Sequence, residues 1–277
     1  MRYLGICAII KNEDPYMDEW MAYYLALGVE VFYLYDNGSN VPLVSRLRKF
    51  RQILGQDRLI IHDAPGEKVQ MAAYEHCAET YADVCRWIAF MDADEFVVPK
   101  KHDSIPAMLE QFETYAGLAL HWRVFGSNGH IIPPTGLQLE NYTLAMPADD
   151  PANVHIKSIV KADRVKFFPS PHACGLKNPH DIIVTERGER ITSGVADSPS
   201  WDIGQINHYY YRSKKEYYAK LRIPRADTSE MRPVFGGRVT VPLGVEEDRS
   251  ALRFTDSVKS VLDKVAEEIP PTPKNMS

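Results

Sequence analysis

The chain has 277 residues, is 45% hydrophobic and 25% charged, and carries a net charge of −5. These are the proportions of an ordinary globular protein with room for one large α/β domain, and the acidic balance excludes bulk electrostatic binding to nucleic acid. No stretch approaches the roughly eighteen uninterrupted apolar residues of a membrane span.

Residues 3–10 are apolar but too few for a signal peptide's core plus cleavage region, so they read as a first strand and the cytoplasm is the expected location. Cys7, Cys77, Cys85 and Cys174 lack CxxC or zinc spacing and are expected as reduced thiols. A helix follows to about residue 27, with Asp14 as N-cap and Pro15 at the first helical position. Met17, Trp20, Met21, Tyr24 and Leu25 give it one apolar face, and Gly28 stops it. Residues 29–35 form a second strand, rich in β-branched and aromatic side chains. It ends at Asp36-Asn37-Gly38, which suits a turn and equally suits a carboxylate at a nucleotide site. A helix over 42–54, a strand over 58–62 and a helix over 67–83 continue the alternation.

The fourth strand opens the most informative stretch. Trp87-Ile88-Ala89-Phe90-Met91 is a short apolar run leading into Asp92, Asp94 and Glu95. Such a run suits a buried parallel strand, whose carboxyl end is where open α/β sheets bind ligands. Side chains alternate along an extended chain, so Asp92 and Asp94 face one way. Like charges that close call for a cation between them, and Mg²⁺ or Mn²⁺ shared with phosphate is the simplest occupant. The rival reading is a plain loop with one acid capping the next helix.

A helix over 104–115 and a strand over 118–125 complete a strand–helix alternation that predicts a mostly parallel sheet. Beyond 125 the texture changes. Gly126-Ser127-Asn128-Gly129-His130 is a polar turn, and prolines at 133, 134, 147 and 151 leave only short pieces up to 152. An alternating strand is expected over 155–165, irregular chain over 167–204, and a short strand at 205–213 running into a helix over 214–223. Residues 227–246 read as loop, 255–268 as an amphipathic helix, and 270–277 as a disordered tail.

The motifs together resemble a GT-A-type glycosyltransferase, within the family-2-like group and close to its family-92 (DUF23-like) branch. The resemblance rests on Ile9-Ile10-Lys11-Asn12-Glu13, Glu19-Trp20, Tyr35-Asp36-Asn37-Gly38-Ser39 and Phe90-Met91-Asp92-Ala93-Asp94-Glu95-Phe96. It continues in Trp122-Arg123-Val124-Phe125-Gly126, His155-Ile156-Lys157-Ser158, and His208-Tyr209 with Arg212-Ser213 and Lys220. It implies a mostly parallel α/β sheet flanked by helices, with residues 1–125 as a nucleotide-sugar-binding half and 126–269 as an irregular acceptor-side half of the same domain. It also implies a nucleoside-diphosphate sugar donor, UDP-sugars first, a Mn²⁺ or Mg²⁺ cofactor, and inverting transfer to a glycan or lipid-linked acceptor, with room for peripheral membrane contact.

By that likeness Glu13 and Asp36 contact the nucleoside, Asp92 and Asp94 are the Asp-x-Asp pair, and His208 is a late metal ligand. Lys11, Lys157 and Arg212 are candidates for the diphosphate. An inverting transfer also needs a base near the acceptor hydroxyl. Asp181 is the first candidate, with Asp227, Glu230, His130 and His172 behind it. Trp122 and the turn ending at His130 are candidates for an acceptor platform. The alternative is a carbohydrate- or nucleotide-binding protein without turnover. A haloacid-type phosphatase fits poorly, because its acid pair ends a first strand. A sugar-phosphate nucleotidyltransferase fits poorly, because Lys11-Asn12-Glu13-Asp14-Pro15 is no glycine-rich phosphate loop.

Overall fold

The computed structural model describes residues 1–224, 228, 230–231 and 240–267. Asp227 and the tail at 270–277 lie outside them.

The first half runs β1 (Arg2–Ile10), α1 (Met17–Ala26), β2 (Val31–Asp36), α2 (Leu43–Arg46), α3 (Arg48–Leu54), β3 (Leu59–Asp63), α4 (Gln70–Tyr81), β4 (Cys85–Phe90), β5 (Glu95–Pro99), α5 (Ile105–Leu109) and β6 (Gly117–Val124). The second half adds α6 (Gln138–Asn141), β7 (Leu144–Ala145), β8 (Ile156–Lys161), β9 (Val165–Ser170), β10 (Ala173–Leu176), β11 (Ile183–Thr185), β12 (Arg190–Ile191), β13 (Gly204–His208), α7 (Lys214–Lys220), β14 (Glu246–Glu247) and α8 (Thr255–Glu267).

The expected α/β architecture is present. The main sheet has the order β12-β11-β6-β8-β4-β1-β2-β3, with β13 joining β6 and β5. The pairs β1–β2, β1–β4 and β2–β3 are parallel. The residues of β1, β2 and β4 are mostly buried on both faces, which is why they read as continuous apolar runs, whereas edge strand β3 is half-exposed. β6 runs the same way but does not touch β4, because β8 lies antiparallel between them. One apolar core on the α1 and α8 side gathers Trp20, Tyr23, Tyr24, Phe96 and Val258, and another under α4 gathers Cys7, Tyr33, Tyr74, Phe90 and Phe168.

Several local expectations change. Asp14 does not cap α1, which begins at Met17 with Tyr16 before it and no side-chain cap. α1 is buried nearly all round, including Glu19, because α8 covers the side turned away from the sheet. Gly28 does end it, at φ +94°. The helix over 42–54 is two pieces, α2 and α3, meeting at Leu47. Residues 167–204 are not irregular throughout. They hold β10, β11 and β12, and three-residue β11 extends the main sheet beside β6.

Candidate active site

Parallel β1, β2 and β4 end at one edge of the sheet, so Glu13, Asp36 and the acids after β4 share that edge. β8 runs the other way, and its register sets Ile159 against Ala89 and Lys161 against Trp87. Lys157, the second residue of β8, therefore reaches the level of the acids. β13 runs antiparallel to β5 with His208 opposite Glu95, and the Tyr209 N–H donates to the Asp94 carbonyl at 2.9 Å. The topology thus gathers at one place residues separated by more than a hundred positions.

Asp92 and Glu95 close a tight turn: the Asp92 N–H donates to Glu95 Oε2 at 2.8 Å, and the Glu95 N–H to the Asp92 carbonyl at 3.1 Å. Trp122 Nε1 donates to Glu95 Oε1 at 2.8 Å. Lys157, fully buried, donates to Asp92 Oδ2 at 3.0 Å and lies 3.4 Å from Glu95 Oε2. Gln70, at the start of α4, donates to Asp92 Oδ1 at 3.0 Å. Glu95 has no exposed surface, and burial pushes its carboxyl up to about 8 despite Lys157 beside it. For Asp92 burial also opposes ionisation, but Lys157 outweighs it and holds the carboxyl below its usual value.

Asp94 faces the Lys220 ammonium and the His208 imidazole, which burial holds toward its neutral form. Lys220, the last residue of α7, makes an ion pair with Asp94 Oδ2, and His208 Nε2 lies 3.6 Å from the same oxygen. Burial works to raise the Asp94 carboxyl, but Lys220 and His208 hold it well below the ordinary range. Lys220 also lies over the Tyr210 ring at 4.1 Å. Arg212, buried and left-handed at φ +48°, donates to Glu13 Oε2 at 2.6 Å and Gln138 Oε1 at 2.8 Å, and stacks on Tyr16. Glu19 caps α6 by accepting from the Gln138 and Leu139 N–H groups at 2.7 and 3.0 Å; burial still lifts it to about 7.

Asp92, Asp94, Lys157 and His208 are therefore together, with Glu13 and Arg212 alongside. Asp36 is on the same edge, but its two carboxylate oxygens accept from the Ser39 and Leu43 N–H groups at 2.8 Å each, so it organises the turn into α2. Lys11 is exposed just past β1.

Other expectations fail. Asp181 precedes β11, whose Ile183 pairs with Gly117 at the start of β6, so it lies at the opposite edge of the sheet. There it receives two hydrogen bonds from Arg164, at 3.0 and 3.1 Å, and it cannot serve as the base. Trp122 is no open platform: it is 5% exposed, stacked on His155 at 4.8 Å and against His208 at 4.1 Å. His130 packs edge-on against Tyr142 at 5.4 Å beside α7. His172 lies closer to the acids, edge-on to Trp122 at 5.0 Å with Nδ1 3.0 Å from the Ile156 carbonyl. Burial, then Lys157, press it down to about 3, so its imidazole is neutral.

The residues missed by pattern alone are Gln70, Glu95 in its hydrogen-bonded role, and Lys220 as partner of Asp94. The signal for Glu95 was its position, an acid inside an otherwise apolar strand.

A cation has two candidate protein donors here, Asp94 Oδ2 and His208 Nε2; among the described residues no three His, Cys, Asp or Glu form a metal-holding group. Oxygen and imidazole suit Mg²⁺ or Mn²⁺ if phosphate and water fill the other positions.

Comparison with known proteins places the chain in a family. The family model for glycosyltransferase family 92 matches residues 3–232, from β1 past α7. A family 92 protein of Ricinus communis is 29% identical over 227 residues, 78% of this chain and 37% of that protein. One of Arabidopsis thaliana is 32% identical over 103 residues, covering 36% and 17% respectively. This chain therefore spans less than two fifths of the curated relatives' length. Among solved structures, residues 1–349 of S. aureus TarS align with a TM-score of 0.37 at 13% identity, over 58% of this chain and 47% of that one. The match over β1, the acid segment and the Lys220 helix decides the matter: the chain belongs to glycosyltransferase family 92.

Proposed function

We propose that this chain transfers a sugar from a nucleoside-diphosphate donor, UDP-sugars first, to a hydroxyl of a glycan or lipid-linked acceptor, with inversion at the anomeric carbon. The observation that carries the reading is the pairing of Asp92 with Lys157 and of Asp94 with Lys220 and His208 at the carboxyl edge of the sheet. Acids and cations alternate there within a few ångströms, which suits a ligand that brings both a divalent ion and a diphosphate. Asp94 and His208 would hold Mn²⁺ or Mg²⁺, and the bound ion would supply positive charge to the departing diphosphate. Lys220, paired with the same Asp94 oxygen, can turn its ammonium to a phosphate, while Arg212, anchored by Glu13 and Gln138, presents a fixed guanidinium nearby. Lys157 keeps Asp92 ionised, and Glu95 and Gln70 fix its position. The four free thiols fit a reducing compartment, and we place the activity in the cytoplasm.

The test is release of UDP from a panel of UDP-sugars with and without manganese, alongside thermal shifts with UDP and manganese. Turnover with a raised midpoint is expected, because a ligand of the folded form stabilises it. A raised midpoint with no turnover for any donor would identify a binding protein. No change in either would overturn the reading.

A further inference from the structure

The loop after β6 rises from the sheet edge that carries Asp92 and Asp94. Its tip exposes two adjacent isoleucines, Ile131 at 71% and Ile132 at 64%, followed by Pro133 and Pro134. The tip is anchored. The Lys214 N–H donates to the His130 carbonyl at 2.9 Å, the Lys215 N–H to the Ile131 carbonyl at 3.0 Å, and Asn141 Nδ2 to the Thr135 carbonyl at 2.9 Å. These bonds set the isoleucines beside the first turn of α7. There Lys214 and Lys215 are exposed and, among the described residues, make no ion pair. Tyr218, 37% exposed, and exposed Arg222 follow Lys214 at steps of four residues.

We infer that residues 131–134 with Lys214, Lys215 and Tyr218 form a docking surface for an anionic phospholipid bilayer. Isoleucines inserted at the headgroup boundary, lysines at the phosphates and a tyrosine at the interface are the combination that holds a protein on such a surface. The chain as a whole is acidic, at −5, so attraction to an anionic bilayer has to come from a local patch like this one. The patch also has a direct structural link to the candidate active site. α7 carries Lys214 at one end and Lys220, paired with Asp94, at the other, a separation of about 9 Å along the helix axis. A docked chain would hold its sugar-transfer edge near lipid headgroups. The inference stands whether or not the glycosyl-transfer reading does.

The experiment is co-sedimentation of the full chain with vesicles of phosphatidylcholine alone, or with about one third phosphatidylserine. Binding to the mixed vesicles is expected, roughly tenfold or more tighter than to phosphatidylcholine alone, and weakening as salt rises. Ile131→Ser with Ile132→Ser, and separately Lys214→Gln with Lys215→Gln, should each reduce that binding roughly tenfold or more. Neither pair should move the thermal midpoint or UDP release, since these side chains lie on the surface. Wild-type protein that stays in the supernatant with both vesicles overturns the proposal. So does unchanged binding in both variants. A vesicle-independent dimer that the isoleucine pair dissolves would overturn it too, by showing a self-association face instead.

Discussion

Trp122 and Glu95 are joined by a 2.8 Å hydrogen bond from the indole N–H to a carboxylate oxygen with no access to solvent. Replacing the indole strands that oxygen in the interior. Trp122→Phe should lower the unfolding free energy by about 1–3 kcal/mol, beyond any packing loss. Urea denaturation checks it as a lower midpoint at unchanged slope; an unaltered midpoint would show the bond to be dispensable.

Lys157 is the cation between Asp92 and Glu95, and burial of its ammonium, which alone would favour the neutral amine, is overcome by those acids. Lys157→Met leaves both carboxyls without it and should cost about 3–5 kcal/mol. Adding Asp92→Asn removes the carboxylate left unmatched and should restore part of the loss. A double-mutant cycle by denaturation reads the coupling, and strictly additive costs would disprove the shared role.

The fold was largely legible because β1, β2 and β4 are short, largely buried on both faces and flanked by turn residues, so they stand out as apolar runs. The acids after β4 were legible for the same reason, since they interrupt such a run abruptly. What stayed hidden depends on pairing across distance. Nothing local tells that β8 slips antiparallel beside β4, which sets Lys157 on Asp92. Nothing local tells that three-residue β11 fixes Asp181 at the far edge. Trp122 read as part of an acceptor platform, and only its burial between the His155 and His208 rings shows otherwise.

Asp94→Asn tests the ion-pair site without deleting volume. The backbone bond from Tyr209 to the Asp94 carbonyl is untouched, but Lys220 loses its buried anionic partner, so the apo thermal midpoint should fall by several degrees without abolishing folding. The rise produced by UDP with manganese should vanish, and UDP release should drop at least about a hundredfold. Full turnover by this variant would sink the proposed reaction.

Glu113 gives a pH prediction at the opposite edge of the sheet. Burial works to raise its carboxyl, but Arg86 and donors from Tyr3 and Trp87 hold it at about 2, below the ordinary 4.5. The folded form therefore favours the carboxylate. Its contribution is complete above pH 4.5 and disappears as pH falls toward 2. Glu113→Gln should lower the thermal midpoint at pH 6, and the gap to the wild type should close as pH falls through that window. A gap that stays constant across the window would show that charge at Glu113 plays no part.

The antiparallel insertion of β8 carries a consequence for biosynthesis. A ribosome delivers β4 and its acids long before residues 156–161 emerge. During that interval the flank of β4 stays unpaired, and the ammonium that neutralises Asp92 does not yet exist as protein. Nascent chains halted before residue 156 should therefore be held by chaperones, and the translating polypeptide should gain protease resistance only after β8 has cleared the exit tunnel.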